Sequence, residues 1–475
     1  MTHLPVLNER VLPTLNQDGS RLRIRPQLFR GATYKQRFWV AWGLMVLFVA
    51  LPFVRVKGKP AILLDIVDRQ FVFFGATFLA TDGVVLMLLL LSIFVAIILI
   101  TALVGRAWCG WGCPQTVYME FLFRPIERLF EGDRNAQLRL DRRGGGGRRL
   151  AKNVVFALLS VVVANVFLAY FVGTHTLFNW VRSSPFQHPS GFVVMGVTAG
   201  LVFFDFAYFR EQMCTVACPY ARLQAALFDK NSLIIGYKAA RGEPRKKGKE
   251  RDAAGDCVDC DACVRTCPTG IDIRDGLQLE CIACAQCIDA CNFVMEKVKL
   301  PPNLIAYSSQ RALGGERGRV LRPRVIAYCV LLLVLSGALV GAVSMRRGAD
   351  ITVLRGIGAP YVLDDAGVRN QVRLKIENRG SEGFGFGYQI LVGKPGALRP
   401  ASEFGIQVIS PENPMHVKGG GRATTSLFVV SPRTVFRQGR LPIVVRVELP
   451  DGTFIEQPYH LLGPEGAVGQ ELKRP

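Results

Sequence analysis

Five stretches of this 475-residue chain, roughly 38–54, 85–105, 152–173, 191–209 and 325–345, are apolar enough and long enough to cross a bilayer as helices; a crossing needs about 20 such residues. In hydrocarbon every backbone N–H and C=O must be bonded within the protein, so these runs admit helices and little else. The first is the shortest, with Pro52 near its end. A sixth patch, Phe71 to Leu79, is too short to span; preceded by Asp65, Asp68 and Arg69, it reads as an interfacial or re-entrant segment. Half of the residues are hydrophobic, yet a fifth are charged and the formal net charge is +21. Both hold only if the charge is segregated from the apolar runs. A disordered chain and a small disulfide scaffold are excluded, and an ordinary soluble enzyme is disfavoured.

The basic residues then orient the spans. Lys and Arg number seven in 1–37, ten in 106–152 and nineteen in 210–324, against four in 55–84 and one, Arg182, in 174–190. Five spans with the basic segments on one face place the N-terminus inside and the C-terminus outside the membrane. The run Arg245, Lys246, Lys247, Lys249 and Arg251 suits anionic lipid headgroups. No nucleic-acid recognition motif accompanies it.

Eight of the thirteen cysteines lie between Cys257 and Cys291. Cys257, Cys260, Cys263 and Cys267 follow C-x2-C-x2-C-x3-C with Pro268 next; Cys281, Cys284, Cys287 and Cys291 repeat the spacing, followed by Asn292. Soft thiolates suit zinc or iron–sulfur clusters. Zinc sites normally pair two C-x2-C knuckles across a longer gap, which this is not. In two-cluster ferredoxins the fourth cysteine of each run serves the other cluster. The expected sets are therefore Cys257, Cys260, Cys263 with Cys291, and Cys281, Cys284, Cys287 with Cys267, each holding a 4Fe–4S cluster. No glycine-rich dinucleotide fingerprint is present, so nothing supports NAD or flavin binding.

Four more cysteines form two pairs at the inner ends of spans two and four. Cys109 and Cys113 precede Pro114, Cys214 and Cys218 precede Pro219, and both pairs read C-x3-C-P. Proline suits the first turn of a new helix. Cys113 and Cys218 are thus expected at helix N-termini, where the dipole would favour thiolate. Four thiolates on one face could hold copper(I), close a third iron–sulfur or zinc site, or cycle between dithiol and disulfide; packing is the bland alternative. Met119 and Met213 lie beside them as soft donors, although methionine near a span usually packs. Asp205 in span four is a costly ionisable group. His175 and His188 flank the outer connection, and Cys329 in span five reads as a small apolar residue.

After Arg346 and Arg347 the pattern becomes alternating, as in Val372-Arg-Leu-Lys-Ile-Glu and the residues from Val444 to Leu449 before Pro450-Asp-Gly. Short strands with turn signals predict a β-sandwich without cysteine. The domain order is then a cytoplasmic segment 1–37, a four-helix membrane region 38–209, a cytoplasmic ferredoxin domain 210–324, a fifth span 325–345 and a periplasmic domain 346–475.

Trp-Cys-Gly-Trp-Gly-Cys-Pro-Gln-Thr at 108–116, Phe-Arg-Glu-Gln-Met-Cys from 209 and Cys-Pro-Tyr-Ala-Arg from 218, together with both four-cysteine runs, make the whole chain resemble the CcoG family, also called FixG or RdxA. These are cytochrome c oxidase accessory proteins of bacterial inner membranes. The resemblance implies two 4Fe–4S clusters, an Ig-like final domain and a role in assembling cbb3-type cytochrome c oxidase. It also implies a cupric reductase that hands copper(I) to the oxidase, and Cys109, Cys113, Cys214 and Cys218 are the residues expected to form the site where copper is reduced. Implied partners are oxidase assembly factors, copper chaperones, membrane lipid, an electron donor the sequence leaves open, and a second copy of the chain. Two other functions compete: an electron-transfer component of a quinol-oxidising chain, and a non-enzymatic metal-holding scaffold.

Overall fold

The computed structural model describes residues 14, 21–56, 58–66, 70–79, 82–144, 146–246, 255–318, 321–345, 348–380, 382–393 and 397–464. Asp68, Arg69, Lys247, Lys249, Arg251, Arg346 and Arg347 lie outside them. The chain divides into two compact units: 1–54 with 62–68 and 82–340, and 55–61, 69–81 with 341–475.

The first unit is helical. Four helices are long and apolar enough to cross a membrane: Gly83–Val104, Gly146–Val172, Pro189–Phe209 and Pro323–Ser344. Their side chains are largely uncovered by protein; Leu90 is 67 % and Leu333 73 % exposed. Soluble surfaces do not display apolar area on this scale, and lipid is the solvent that suits it. The expected first span differs. Its helix is Ala32–Ala50, displaced toward the N-terminus so that it includes Lys35 and Arg37 and stops before Pro52. By length and composition four helices qualify as spans among the described residues, and the fifth crossing expected at 38–54 is not confirmed. Beneath them aromatic rings carry the packing: Phe123 lies 4.9 Å from Phe156 and 4.3 Å from Phe206 between centroids.

The second unit is a sandwich. One sheet runs in the order Gln407–Ile409, Arg422–Ser431, Gly367–Asn378, Ala349–Arg355, with Val362–Asp364 also paired to the third strand. The other runs Arg399–Pro400, Tyr388–Val392, Arg440–Glu448, Phe454–Leu462. The alternation read from 372–377 buries Val372, Leu374 and Ile376 completely, as a period of two requires. Residues 71–79 form no re-entrant helix: Gln70–Phe73 and Ala76–Leu79 form an antiparallel hairpin around the positive-φ residues Phe74 and Gly75. Short β-propensive runs flanking such a turn favour pairing over a membrane dip.

Candidate metal and electron-transfer site

The cysteine runs occupy a small module closed by the antiparallel pair Ile234–Tyr237 and Ile305–Ser308. Each run makes the same two backbone excursions. Asp259 and Asp261 in the first, Ala283 and Ala285 in the second, have φ of 50°, 55°, 54° and 59°. Left-handed non-glycine residues cost about 1–3 kcal/mol each, and they persist where function fixes the loop. They turn the chain round its sulfurs and into the helices Ala262–Thr266 and Gln286–Lys297.

Two cavities result, each with about 330 Å³ of space free of atoms, open mouth included. Cys257, Cys260, Cys263 and Cys291 line one, among Tyr237, Met295, Leu304 and Ile305. Cys267, Cys281, Cys284 and Cys287 line the other together with Cys263, which is common to both, among Ile235, Ile271 and Ile273. Burial pushes the Cys263 and Cys281 thiols up to about 12 and those of Cys284 and Cys291 up to about 11. Such sulfurs stay protonated near neutrality until a metal centre displaces the proton. Among the described residues no three Cys, His, Asp or Glu side chains converge closely enough for a single ion. Four or more soft donors round each largely apolar cavity fit a polynuclear cluster.

The membrane-edge pairs meet this module. Gly105, at φ 61°, ends the helix Gly83–Val104, and the chain enters the short helix Ala107–Trp111. Cys113 and Cys218 are extended residues immediately before helices that open on Pro114 and Pro219. Cys109, Cys113, Cys214 and Cys218 lie within electrostatic reach of one another. Cys109 packs with Ile282 and Cys284, and Cys214 and Tyr220 border the same cluster. A Cβ on Gly110 would stand 2.7 Å from the carbonyl oxygens of both Ile282 and Ala283, so only glycine permits this approach. Trp111 Nε1 donates to Tyr307 Oη at 2.9 Å, and that hydroxyl donates to Ala283 O at 3.0 Å. Cys109 Sγ donates to Gln224 Oε1 at 3.2 Å. The thiolate character expected of Cys113 is not found. Burial pushes Cys109 up to about 12 and raises Cys113 and Cys214, and at Cys113 the amides of Gln115 and Thr116 only partly offset it.

Asp205 faces this patch; its Oδ1 accepts from Gln115 Nε2 at 3.1 Å. Helical turns of π form at Met119–Phe123, Asp205–Phe209 and Met213–Ala217, around the same residues. Such turns recur at functional sites. Met119 packs among Phe123, Phe156 and Phe206. His175 Nδ1 meets Asn179, and His188 stacks on Trp180. Cys329 is a free, half-buried thiol within the helix Pro323–Ser344.

Sequence reasoning missed a buried ionic network. Glu127 takes Arg210 Nη2 at 2.6 Å and Arg25 Nη1 at 2.7 Å, and Glu131 takes Lys152 at 2.8 Å. Glu120 pairs with Arg124 and accepts from Gln286 Nε2 at 3.0 Å, which ties the network to the second cysteine loop. Burial alone would neutralise Glu127; Arg210, Arg25 and Lys152 instead hold its carboxyl far below the usual carboxylate range. A signal existed: Glu120, Arg124, Glu127 and Glu131 fall at i, i+4, i+7 and i+11, one face of a helix.

A membrane-spanning helical unit that carries a two-cavity cysteine module defines an iron–sulfur electron-transfer protein of the membrane. The 4Fe-4S dicluster domain family matches residues 209–310, and a 4Fe-4S binding domain family matches 86–132, which includes Cys109 and Cys113. The IG-like fold at the C-terminal of FixG matches 339–464. Protein RdxA of Cereibacter sphaeroides is 34 % identical over 402 residues, covering 81 % of this chain and 85 % of its own. Nitrogen fixation protein FixG of Rhizobium meliloti is 33 % identical over 405 residues, covering 75 % and 77 %. Protein RdxB of Cereibacter sphaeroides is 35 % identical over 397 residues, covering 79 % and 82 %. The chain belongs to the FixG/RdxA family.

Proposed function

We propose that this protein carries electrons through two 4Fe–4S clusters to the four membrane-edge cysteines, where substrate copper(II) is reduced to copper(I) for a cbb3-type cytochrome c oxidase. Cys257, Cys260, Cys263 and Cys291 would hold the first cluster, and Cys267, Cys281, Cys284 and Cys287 the second. When bound, these clusters supply one-electron relays. Reduction of copper(II) takes one electron and no proton, so no general acid or base is required. The single observation behind this reading is the packing of Cys109 against Ile282 and Cys284, which sets the paired cysteines against the second loop. Soft thiolates favour copper(I) over copper(II). The acceptors would be oxidase assembly factors and copper chaperones. With Ala32–Ala50 as a fifth crossing, the Lys/Arg asymmetry supports a cytoplasmic N-terminus and cluster module with a periplasmic sandwich. Alkaline phosphatase fused after Pro475 should then be active, and fused after Lys247 inactive.

The test is copper(II) reduction by dithionite-reduced protein freed of excess dithionite, with Cys109, Cys113, Cys214 and Cys218 all changed to Ser and both clusters confirmed. Reduction should fall to background. An unchanged rate would remove the site, leaving reduction directly at the clusters. A purely structural role for these cysteines predicts instead that the serine changes mainly lower protein abundance.

One observation favours the quinol-oxidising reading. A largely apolar cavity, about 1290 Å³ including its open mouth, lies between Phe48, Phe167 and Phe206 and is bordered by Trp108, Gly112, Pro114, Gln115 and Tyr118. A lipid-soluble quinol there would deliver electrons at the paired cysteines, and they would leave by the first cluster. The two readings run the same wire in opposite directions. Cluster reduction by decylubiquinol in the absence of dithionite would favour the second.

A further inference from the structure

We propose that Tyr307 is a positioning residue that holds the paired membrane-edge cysteines in electron-transfer contact with the second cysteine loop. This rests on the copper-reducing site of the preceding section and adds the residue that sets its distance from the electron source.

Tyr307 belongs to neither cysteine segment. It lies in the strand Ile305–Ser308, whose antiparallel partner Ile234–Tyr237 supplies Ile235 to the lining of the second cavity. From there its hydroxyl both accepts and donates: it takes Trp111 Nε1 at 2.9 Å and gives its proton to Ala283 O at 3.0 Å. Trp111 sits midway between Cys109 and Cys113, two residues from each, and Ala283 lies between Cys281 and Cys284. One phenol oxygen thus joins the two sulfur-bearing segments to a strand that closes the module.

The other contacts between these segments differ in kind. Cys109 against Ile282 and Cys284 is apolar packing, which has no preferred direction. Gly110 permits the close approach to the Ile282 and Ala283 carbonyls. Polar ties then flank Cys109 on both sides: Arg106 donates to Leu279 O and Cys281 O before it, and the Trp111–Tyr307–Ala283 bridge follows it. Hydrogen bonds are short and directional, so they fix a separation that packing leaves soft. Electron transfer between fixed centres weakens steeply with their separation, and a displacement of about 1 Å at a reacting group can cost about 100-fold. The step served is the passage of one electron from the second cluster to copper(II), which becomes copper(I). Tyr307 keeps its proton and is not oxidised. Arg106 carries charge, so replacing it would also change the field at the sulfurs; Tyr307→Phe removes one oxygen and leaves the ring.

The experiment uses the purified full-length protein, with iron counted in every sample. Dithionite-reduced protein freed of excess dithionite is mixed with copper(II), or with ferricyanide, an outer-sphere oxidant that does not need the thiols. Cluster re-oxidation is followed by absorbance. Tyr307→Phe should slow re-oxidation by copper(II) about tenfold to 100-fold and leave that by ferricyanide unchanged. Trp111→Phe should do the same, and the double variant should be no slower than the slower single one, since both break one bridge. Maleimide labelling of Cys109 in copper-free protein, read by mass spectrometry against Cys329, should accelerate in Tyr307→Phe. Equal slowing with both oxidants, no slowing with copper(II), or multiplied effects in the double variant would overturn the proposal. Should Tyr307→Phe lose iron, Trp111→Phe decides by the same comparison. Re-oxidation by copper(II) that survives the four Cys→Ser changes would instead defeat the copper site; Cys109 labelling then decides the tether, and an unchanged rate in Tyr307→Phe overturns it.

Discussion

The helical unit and the sandwich bury opposite kinds of residue. The sandwich closes on Val372, Leu374, Ile376, Phe386, Leu427 and Val445, all fully buried, and contains no cysteine. The helical unit instead buries Arg25, Arg37, Glu120, Glu127, Glu131 and Arg210 beside its cysteines. Packed apolar side chains are the economical way to hold a shape. Buried ion pairs seldom improve on them, and removing one partner is strongly destabilising. Their concentration beside the sulfurs marks where this chain gives up cheap stability for a defined electric field.

The sharpest way to break the contrast is to open the network. Glu127→Ala leaves Arg210 and Arg25 without their shared carboxylate and should cost about 3–5 kcal/mol, confined to the helical unit. Protease release of the 21–30 segment in detergent should rise while the sandwich keeps its strand signal. Leu374→Ala should cost about 2–5 kcal/mol in the sandwich through its cavity, with cluster absorption unchanged. If either change unfolds both units together, the separation is wrong.

Smaller effects refine it. Gly110→Ala must push the loop off the Ile282 and Ala283 carbonyls; copper(II) reduction should slow while both clusters stay intact. Acid should act on the helical unit first. The depressed Glu127 carboxyl contributes stability that is fully present above its unfolded pKa of about 4.3 and is lost as pH falls toward its lower folded value. Protection of the 21–30 segment from protease should therefore decline below about pH 4, ahead of any loss in the sandwich.

The same contrast explains what could be read from the sequence. Period-two alternation is a local property, so the strands Gly367–Asn378 and Arg440–Glu448 were visible in 372–377 and 444–449. The cysteine runs were visible because ligation needs fixed spacing, and Pro114 and Pro219 announced helix starts. The ionic network was not, because its partners Arg25, Glu127, Lys152 and Arg210 are far apart in sequence and meet only in the fold. The helical stripe from Glu120 to Glu131 was its one local trace. Thiolate at Cys113 was misjudged because a helix dipole is local, whereas the burial that outweighs it is tertiary.

The central claim is that the two four-cysteine runs exchange their last ligands. Cys267→Ser tests it most directly, by iron analysis and electron paramagnetic resonance of the reduced protein. The account predicts that iron falls by about half, with loss of the cluster held by Cys281, Cys284 and Cys287 and retention of the other. Two intact clusters, or loss of the one held by Cys257, Cys260 and Cys263, would contradict it.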